Sequence, residues 1–233
     1  MTTPVRPSTE RRVAAALPPA TGPSFSRGLW RIAAADVSSG NKVRILHDGP
    51  ATFAAMLDAI DRAEATISLE CYIFRSDEVG KRFADALVAA IGRGVKVQLL
   101  LDWIGIRGTS RTMIRGLTKA GVEIAVFNPP GFRRWLGLVP RDHRKLLVVD
   151  SKFGITGGVG IGREWTTGVL KSHRARWRDT AVSIDGPAAR DMEHAFERMW
   201  FRARGSERRG SHRFLRVAMF IQIKDADIRA FAR

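Results

Sequence analysis

The sequence contains a single cysteine, Cys71, and no long uninterrupted apolar run. One cysteine excludes an intramolecular disulfide framework and a metal site built from cysteines, and it favours a reducing, cytoplasmic location. Because Cys71 lies within an apolar run, we interpret it as a small buried hydrophobic residue. No window approaches the roughly 18 apolar residues of a membrane-spanning helix, so we expect any membrane contact to be peripheral.

Acidic residues are scarce relative to basic ones. The chain has 39 Lys and Arg against 23 Asp and Glu, which gives a formal net charge of +16 and a pI near 11.3. Such a charge attracts polyanions, either nucleic acid or the anionic surface of a phospholipid membrane. Charge alone does not distinguish these partners, and a basic surface without any partner is a third interpretation.

The composition divides the chain into three parts. Residues 1–27 are rich in Pro, Ser and Thr and predict a disordered tail. The apolar stretch in this tail is short and broken by Pro18 and Pro19, so it does not predict a signal peptide. Residues 28–204 predict one α/β domain, and residues 205–233 form a basic tail for which we predict no definite structure.

Strand and helix patterns alternate within the predicted domain. One helical face is indicated by an i, i+3, i+4, i+7 spacing of Phe53, Met56, Leu57 and Ile60. "TISLECYIF" and the continuous apolar run "VKVQLLLD" predict strands, and the helix between them is expected to begin after Ser76 as N-cap. These β-α-β units predict a mixed, largely parallel sheet flanked by helices.

The second part of the domain contains a hairpin pattern and an unusual loop. "KLLVVD" and "FGIT" predict two strands joined by an Asp-Ser-Lys turn, and "PAARDMEHAFERMWFRA" predicts a helix. The proline-bounded segment "NPPGFRRWLGLVP" predicts a loop that carries Trp and Arg side chains. Such a composition is typical of membrane-interface contact, and a loop whose aromatic side chains pack into the core is an equal alternative.

One stretch, "HRKLLVVDSKFGITGG", combines residues suited to a phosphate site. His143 and Lys145 are two apart, so in a strand they point to the same face. A neutral imidazole can attack phosphorus, and an ammonium can neutralise the phosphate oxygens. Gly157 and Gly158 would allow backbone N–H groups to approach the same anion.

This stretch matches H-x-K-x4-D-x6-G-[GS] and so resembles the signature of the phospholipase D superfamily. Two flanking segments resemble its cardiolipin synthase branch, over roughly residues 40–200: "GNKVRILHDGPATFAAMLDAIDRAEATISLECYIFRSDEVGKRFADALVAAIGRGVKVQLLLDWIG" and "RWRDTAVSIDGPAARDMEHAFERMW". The resemblance implies a phospholipase D-like fold with one catalytic half, and chemistry without a metal or another cofactor.

The resemblance also implies roles for individual residues. His143 would be the nucleophile that takes up a phosphatidyl group from a phosphatidylglycerol-type lipid, and Lys145 would hold the phosphate oxygens. Asp150 would orient and support this pair.

Four further acidic residues have expected roles, two from the family resemblance and two from their positions at strand ends. Glu70 and Glu164 match acidic positions of the family, where either a supporting role in catalysis or a buried structural contact is expected. Asp102 and Asp179 are expected to be structural caps at the ends of strands.

Two departures from the family pattern affect the expected function. Gly160 stands where the family usually has asparagine, and none of the other histidines is followed two residues later by lysine. The family uses a second histidine as general acid, so the chain is expected either to form a homodimer or to be a truncated synthase with little activity. We therefore expect a phosphatidyltransferase at the inner face of the membrane, with a single-motif nuclease as the alternative.

Overall fold

The regular elements that the structure describes form a seven-stranded sheet with helices on its two faces. The computed structural model describes residues 38–128, 141–166 and 177–205. The strands are β1 (Lys42–His47), β2 (Thr66–Cys71), β3 (Lys96–Asp102), β4 (Glu123–Phe127), β5 (Lys145–Val149), β6 (Phe153–Gly157) and β7 (Thr180–Asp185). The helices are α1 (Asp48–Asp61), α2 (Glu78–Gly92), α3 (Arg111–Ala120) and α4 (Ala188–Ala203), with 3-10 helices at Gly105–Gly108 and Arg163–Trp165.

The strands are arranged in the order β1-β7-β6-β5-β2-β3-β4. A mixed α/β sheet was predicted and is confirmed, but the expectation that its pairing is largely parallel is wrong. Only β2–β3 and β3–β4 pair in parallel, and the other four pairings are antiparallel. The physical reason is connection length, because the short turn at residues 150–152 returns β6 directly beside β5, whereas parallel strands need a long crossover.

The two faces of the sheet are covered by different helices. α1, α2 and α3 pack on one face, where Phe53 and Phe83 meet edge to face with ring centroids 5.7 Å apart. α4 covers the other face with Met192, Phe196 and Trp200, which lie on one side of the helix at four-residue spacing. The central strands β2, β3 and β5 are buried along most of their length, as their continuous apolar runs predicted.

The start of α2 differs by one residue from the prediction. Asp77, and not Ser76, is the N-cap, and its carboxylate accepts hydrogen bonds from the backbone N–H groups of Val79 and Gly80. The Ser76 hydroxyl instead accepts from the backbone N–H of Ser110 at 2.6 Å, next to the start of α3. The two neighbouring helices are thereby tied together at their N-terminal ends.

Several sequence-based predictions lie outside the described residues. They are the tail at residues 1–27, the basic tail at residues 205–233 apart from Gly205, and the loop at residues 129–140. The boundary at residue 28 also lies there, so the division of the chain into these parts stays a prediction. In the part of the chain that the structure describes, no helix is long and apolar enough to cross a bilayer.

Candidate active site

His143 and Lys145 lie at one edge of the sheet. β5 begins at Lys145, whose Cα is paired with that of Cys71 at the end of β2. β3, β4 and β6 end at the same edge, because β5 and β7 run opposite to the other five strands. The carboxyl ends of parallel strands are where α/β sheets usually bind ligands.

The two side chains are in contact. Lys145 Nζ lies 3.2 Å from each ring nitrogen of His143 and donates a hydrogen bond to the His143 carbonyl at 2.8 Å. Lys145 is only 8% exposed, whereas His143 is exposed. The arrangement holds a cation at the base of the site and leaves the imidazole accessible to a phosphodiester.

The environment of Lys145 destabilises its charged form. Burial lowers the pKa of Lys145, and nearby Cys71, Asp179 and Asp142 oppose this effect only in part. A bound phosphate would supply the further negative charge that is needed to stabilise the buried ammonium. The site is therefore suited electrostatically to an anionic substrate.

An aromatic ring completes the wall behind the pair. Tyr72, which follows β2 directly, has its ring centroid 4.7 Å from that of His143. Lys145 Nζ lies 5.4 Å from the centre of the same ring, within the range of a cation–π interaction. Sequence reasoning missed Tyr72, although its position one residue after the strand that pairs with Lys145 could have indicated it.

Asp179 also belongs to this edge, and its role was predicted incompletely. As expected for a cap, its carboxylate accepts from the backbone N–H of Thr180 at 2.8 Å. It also raises the pKa of Lys145, which places its charge close to the ammonium. The sequence does not indicate this proximity, because Asp179 is far from Lys145 along the chain. The strand order brings them near each other, since only β6 separates β7 from β5.

The two glycines have a different role from the one predicted. The backbone N–H of Gly158 donates to the Thr180 carbonyl at 3.2 Å, so it is not available for a phosphate. A Cβ at Gly158 would collide with the Asp179 carboxylate, and one at Gly157 would collide with the backbone at Ala181. The glycines therefore create the space in which Asp179 and β7 approach the site.

Asp150 does not contact His143 or Lys145, so any support that it gives the pair is indirect. It lies at the opposite end of β5, about 16 Å along the strand from Lys145 at 3.3 Å per residue. Its carboxylate accepts three backbone hydrogen bonds, at 3.0, 2.8 and 2.8 Å, from residues 64–66. Burial acts to raise the pKa of Asp150, but these bonds outweigh it and the pKa is lowered.

Glu70 forms part of a buried charged cluster on the other face of the sheet. Arg144 donates to both of its carboxylate oxygens, at 2.6 and 2.8 Å, and lies 3.5 Å from Asp142. Burial and the neighbouring Asp142 raise the pKa of Glu70 to about 9, although Arg144 opposes this. Glu70 therefore fixes the backbone around His143 and does not contact the imidazole itself, which favours the structural alternative.

Glu164 and Asp102 have structural contacts. Arg75 Nε donates to Glu164 at 2.8 Å, which ties the segment before α2 to the second 3-10 helix. Asp102 accepts from the backbone N–H groups of Ile104 at 2.8 Å and Asp142 at 3.1 Å. The predicted capping role of Asp102 is thus confirmed, and it also anchors the segment leading to His143.

Gly160 occupies a packed position. A Cβ there would lie 2.7 Å from the ring of Trp165 and 3.1 Å from Ile73 Cβ. The ring of Trp165 therefore fills the space that a larger side chain at residue 160 would need. In the described parts of the chain, no group of three or more His, Cys, Asp or Glu residues could hold a metal ion.

Comparison with known proteins agrees with this geometry. A family model described as cardiolipin synthase, PLD-like domain, matches residues 56–200. The chain belongs to this family. It is 36% identical over 166 residues to the cardiolipin synthase of Oceanobacillus iheyensis and 37% identical over 169 residues to that of Clostridium perfringens.

The chain is much shorter than these cardiolipin synthases. The matches cover 71% and 72% of this chain but only 34% and 35% of the two relatives. The chain thus spans about a third of their length.

Solved structures show the phospholipase D fold of the family. Nuc from Salmonella typhimurium, a phospholipase D family member, matches with a TM-score of 0.53 and 23% identity, over 70% of this chain and 95% of that one. NucT from Helicobacter pylori matches with a TM-score of 0.55 and 13% identity, over 69% and 96%. At these identities the likeness concerns the fold.

Proposed function

We propose that the chain provides half of a phosphatidyl-transfer site that makes cardiolipin from phosphatidylglycerol. The observation that carries this proposal is the exposed His143 imidazole in contact with the buried Lys145 ammonium at the carboxyl edge of the sheet. The similarity to cardiolipin synthases over 71% of the chain supports a lipid substrate.

The proposed reaction has two steps. A neutral nitrogen of His143 attacks the phosphorus of one phosphatidylglycerol, forming an N–P bond while the P–O bond to the glycerol breaks. The leaving alkoxide takes a proton from a general acid and departs as glycerol. The free hydroxyl of a second phosphatidylglycerol then attacks the phosphohistidine, loses its proton to the same group, and regenerates His143 as cardiolipin forms.

The residues around His143 have supporting roles in this mechanism. Lys145 neutralises the non-bridging oxygens as negative charge grows on the phosphorus centre. Tyr72 limits the rotation of the imidazole and Asp179 partly balances the ammonium before the substrate binds. These groups are held by strand ends, so little reorganisation is needed during the reaction.

The general acid is proposed to come from a second histidine outside this half. No other histidine in the chain is followed two residues later by lysine. Two copies related by a twofold axis would bring a second His143 to the same phosphate, since an isologous interface presents the same residues from each side. The membrane partner is proposed to be the anionic inner face, where the +16 chain binds peripherally.

The proposal is tested with the purified full chain and phosphatidylglycerol vesicles in EDTA. Cardiolipin and glycerol are expected as products, together with an acid-labile phosphatidyl adduct detectable by mass spectrometry. His143→Ala should abolish both, because it removes the nucleophile. His194→Ala is the matched control, since His194 is an exposed histidine on α4, and it should retain full turnover.

The same preparation is incubated with DNA to test the alternative substrate. DNA cleavage that depends on His143, without lipid turnover, would replace the proposal with a nuclease function. A protein that binds vesicles but turns over neither substrate would identify a non-catalytic remnant, as the packed Gly160 and the single motif would then suggest.

A further inference from the structure

The first 3-10 helix and α3 present a row of cations. Arg107 precedes α3, and the helix carries Arg111, Arg115 and Lys119 at four-residue spacing. All four side chains are exposed, and we call them the α3 cationic face. Since residues at i, i+4 and i+8 are neighbours on a helix surface, the three helical cations form one row about 12 Å long, which turns by about 80° around the helix axis.

Neighbouring acids do not neutralise this face. The 20 residues from Trp103 to Val122 contain no Asp or Glu. Within the described residues, none of the four cations forms an ion pair, whereas Arg62, Arg178 and Arg75 are paired with Asp58, Asp48 and Glu164, respectively. The face therefore keeps its full charge for an external partner.

The position of Arg111 also points away from a purely structural role. It is the first residue of α3, where the positive end of the helix dipole disfavours a cation. An acidic residue there would stabilise the helix. The helix thus tolerates an unfavourable local charge that an anionic partner would compensate.

Apolar side chains adjoin one end of the row. Ile104 is 36% exposed, and the Arg107 guanidinium lies 5.5 Å from the centre of the Trp103 ring. Exposed cations beside an aliphatic and an aromatic side chain match the two layers of a membrane interface, phosphate above and acyl chain below. A nucleic-acid backbone would use the cations and leave Ile104 without an apolar partner.

The face is also well placed relative to the active site. Trp103, Ile104 and Arg107 follow the end of β3, at the same edge of the sheet as His143. α3 connects β3 to β4, the outermost strand on this side, and no other strand of the described residues covers its outer surface. A membrane that contacts the face at this corner would lie next to the imidazole.

We propose that the α3 cationic face, with Trp103 and Ile104, docks the chain on an anionic phospholipid surface and so brings His143 to lipid headgroups. The proposal rests on the proposed function for its biological meaning, but its binding step is measured independently of turnover.

The test uses the full chain and compares Arg111→Glu/Arg115→Glu with Lys96→Glu/Lys152→Glu. The control pair has the same change in charge, and its exposed lysines lie at the opposite edge of the sheet. In cosedimentation with phosphatidylglycerol vesicles, the α3 variant should bind at least about tenfold more weakly than the wild type, and the control within about twofold. Binding to phosphatidylcholine vesicles should be weak for all three proteins, and 0.5 M NaCl should weaken the wild type as well.

Turnover gives a second readout. The α3 variant should lose activity on vesicles and keep it on monomeric short-chain phosphatidylglycerol, because His143 and Lys145 are unchanged. Equal vesicle binding by the α3 variant and the wild type would overturn the docking proposal, as would an equal loss in the control pair or a selective loss of DNA binding. Failure of the proposed function would appear differently, as vesicle binding without turnover in every protein.

Discussion

The Lys145 side chain is buried, yet its Nζ contacts the exposed imidazole of His143. A lysine in this position is costly, since burial lowers its pKa and its anionic neighbours compensate only in part. The nearby Tyr72 ring stabilises the ammonium without adding negative charge that would repel a phosphate. The site thus keeps a cation that a bound phosphate would neutralise.

This environment predicts the alkaline limit of activity. The Lys145 ammonium is present below its pKa and lost above it, so a lowered pKa should move the loss of phosphatidyl transfer to a pH below the ordinary lysine value of 10.5. Lys145→Arg should reduce the maximal rate but move this limit upward, because a guanidinium stays protonated. The measurement is kcat/KM from pH 6 to 10 at constant ionic strength. If activity falls at the same alkaline pH in the wild type and Lys145→Arg, the titrating group is not Lys145.

Asp150 shows why a residue pattern does not define a site. It is part of the sequence signature, but five steps along an extended strand carry it to the far end of β5. There it accepts the N–H groups of residues 64–66 and holds the start of β2 beside β5. Asp150 thereby helps to hold the register that sets Lys145 opposite Cys71.

At the scale of elements, local sequence patterns predicted individual strands and helices better than they predicted which strands pair. The apolar runs and helix spacings indicated β2, β3, β5 and the main helices, because burial on one or two faces produces a recognisable periodicity of apolar residues in the sequence. The same-face placement of His143 and Lys145 followed from the two-residue period of a strand. These two predictions needed no knowledge of distant contacts.

Long-range contacts could not be predicted in this way. Asp179 reaches Lys145 only because β6 and β7 pair next to β5, and Tyr72 reaches His143 only because β2 pairs with β5. The family position of Glu70 allowed either a catalytic or a structural role, and strand alternation turns its side chain to the opposite face from Lys145. Such contacts depend on strand order, which no local pattern specifies.

The cluster around Glu70 connects three elements. Arg144 joins Glu70 of β2 to Asp142, and its guanidinium also donates to the Ala195 carbonyl of α4 at 3.1 Å. The pKa of Glu70, about 9, means that one carboxyl of this cluster retains a proton at neutral pH. The cluster thereby fixes the segment that carries His143 while holding little net charge in the core.

This cluster predicts a pH dependence of stability. Between pH 5 and 9 the unfolded chain ionises Glu70 while the folded chain keeps its proton, so the free energy of unfolding should fall with pH, by up to about 1.4 kcal/mol per unit. Glu70→Gln removes this contribution and should give a flatter profile in urea unfolding at pH 5, 7 and 9. Glu197→Gln, at an exposed position on α4, should behave like the wild type. The same slope in Glu70→Gln and the wild type would show that Glu70 does not hold the proton.

At the scale of the whole molecule, the described residues combine a seven-stranded sheet with a single His-Lys pair. The seven strands position one His-Lys pair, and the chain spans about a third of the length of its cardiolipin synthase relatives. Its charge of +16 and the α3 cationic face favour accumulation on an anionic surface. Confinement to a surface raises the local concentration of copies, which would favour pairing of two halves.

A mixing experiment tests whether two copies share one site. The wild type and His143→Ala are coexpressed with different affinity tags, and the mixed dimers are purified through both tags. If one phosphate needs a nucleophile and a general acid from opposite copies, activity per wild-type chain should nearly vanish in the mixed dimer. If each copy acts alone, the mixed dimer should retain about half the activity of the wild-type dimer, and the shared-site model would be rejected. A strictly monomeric wild type with full lipid turnover would reject it as well, because a single chain would then have to supply its own proton donor.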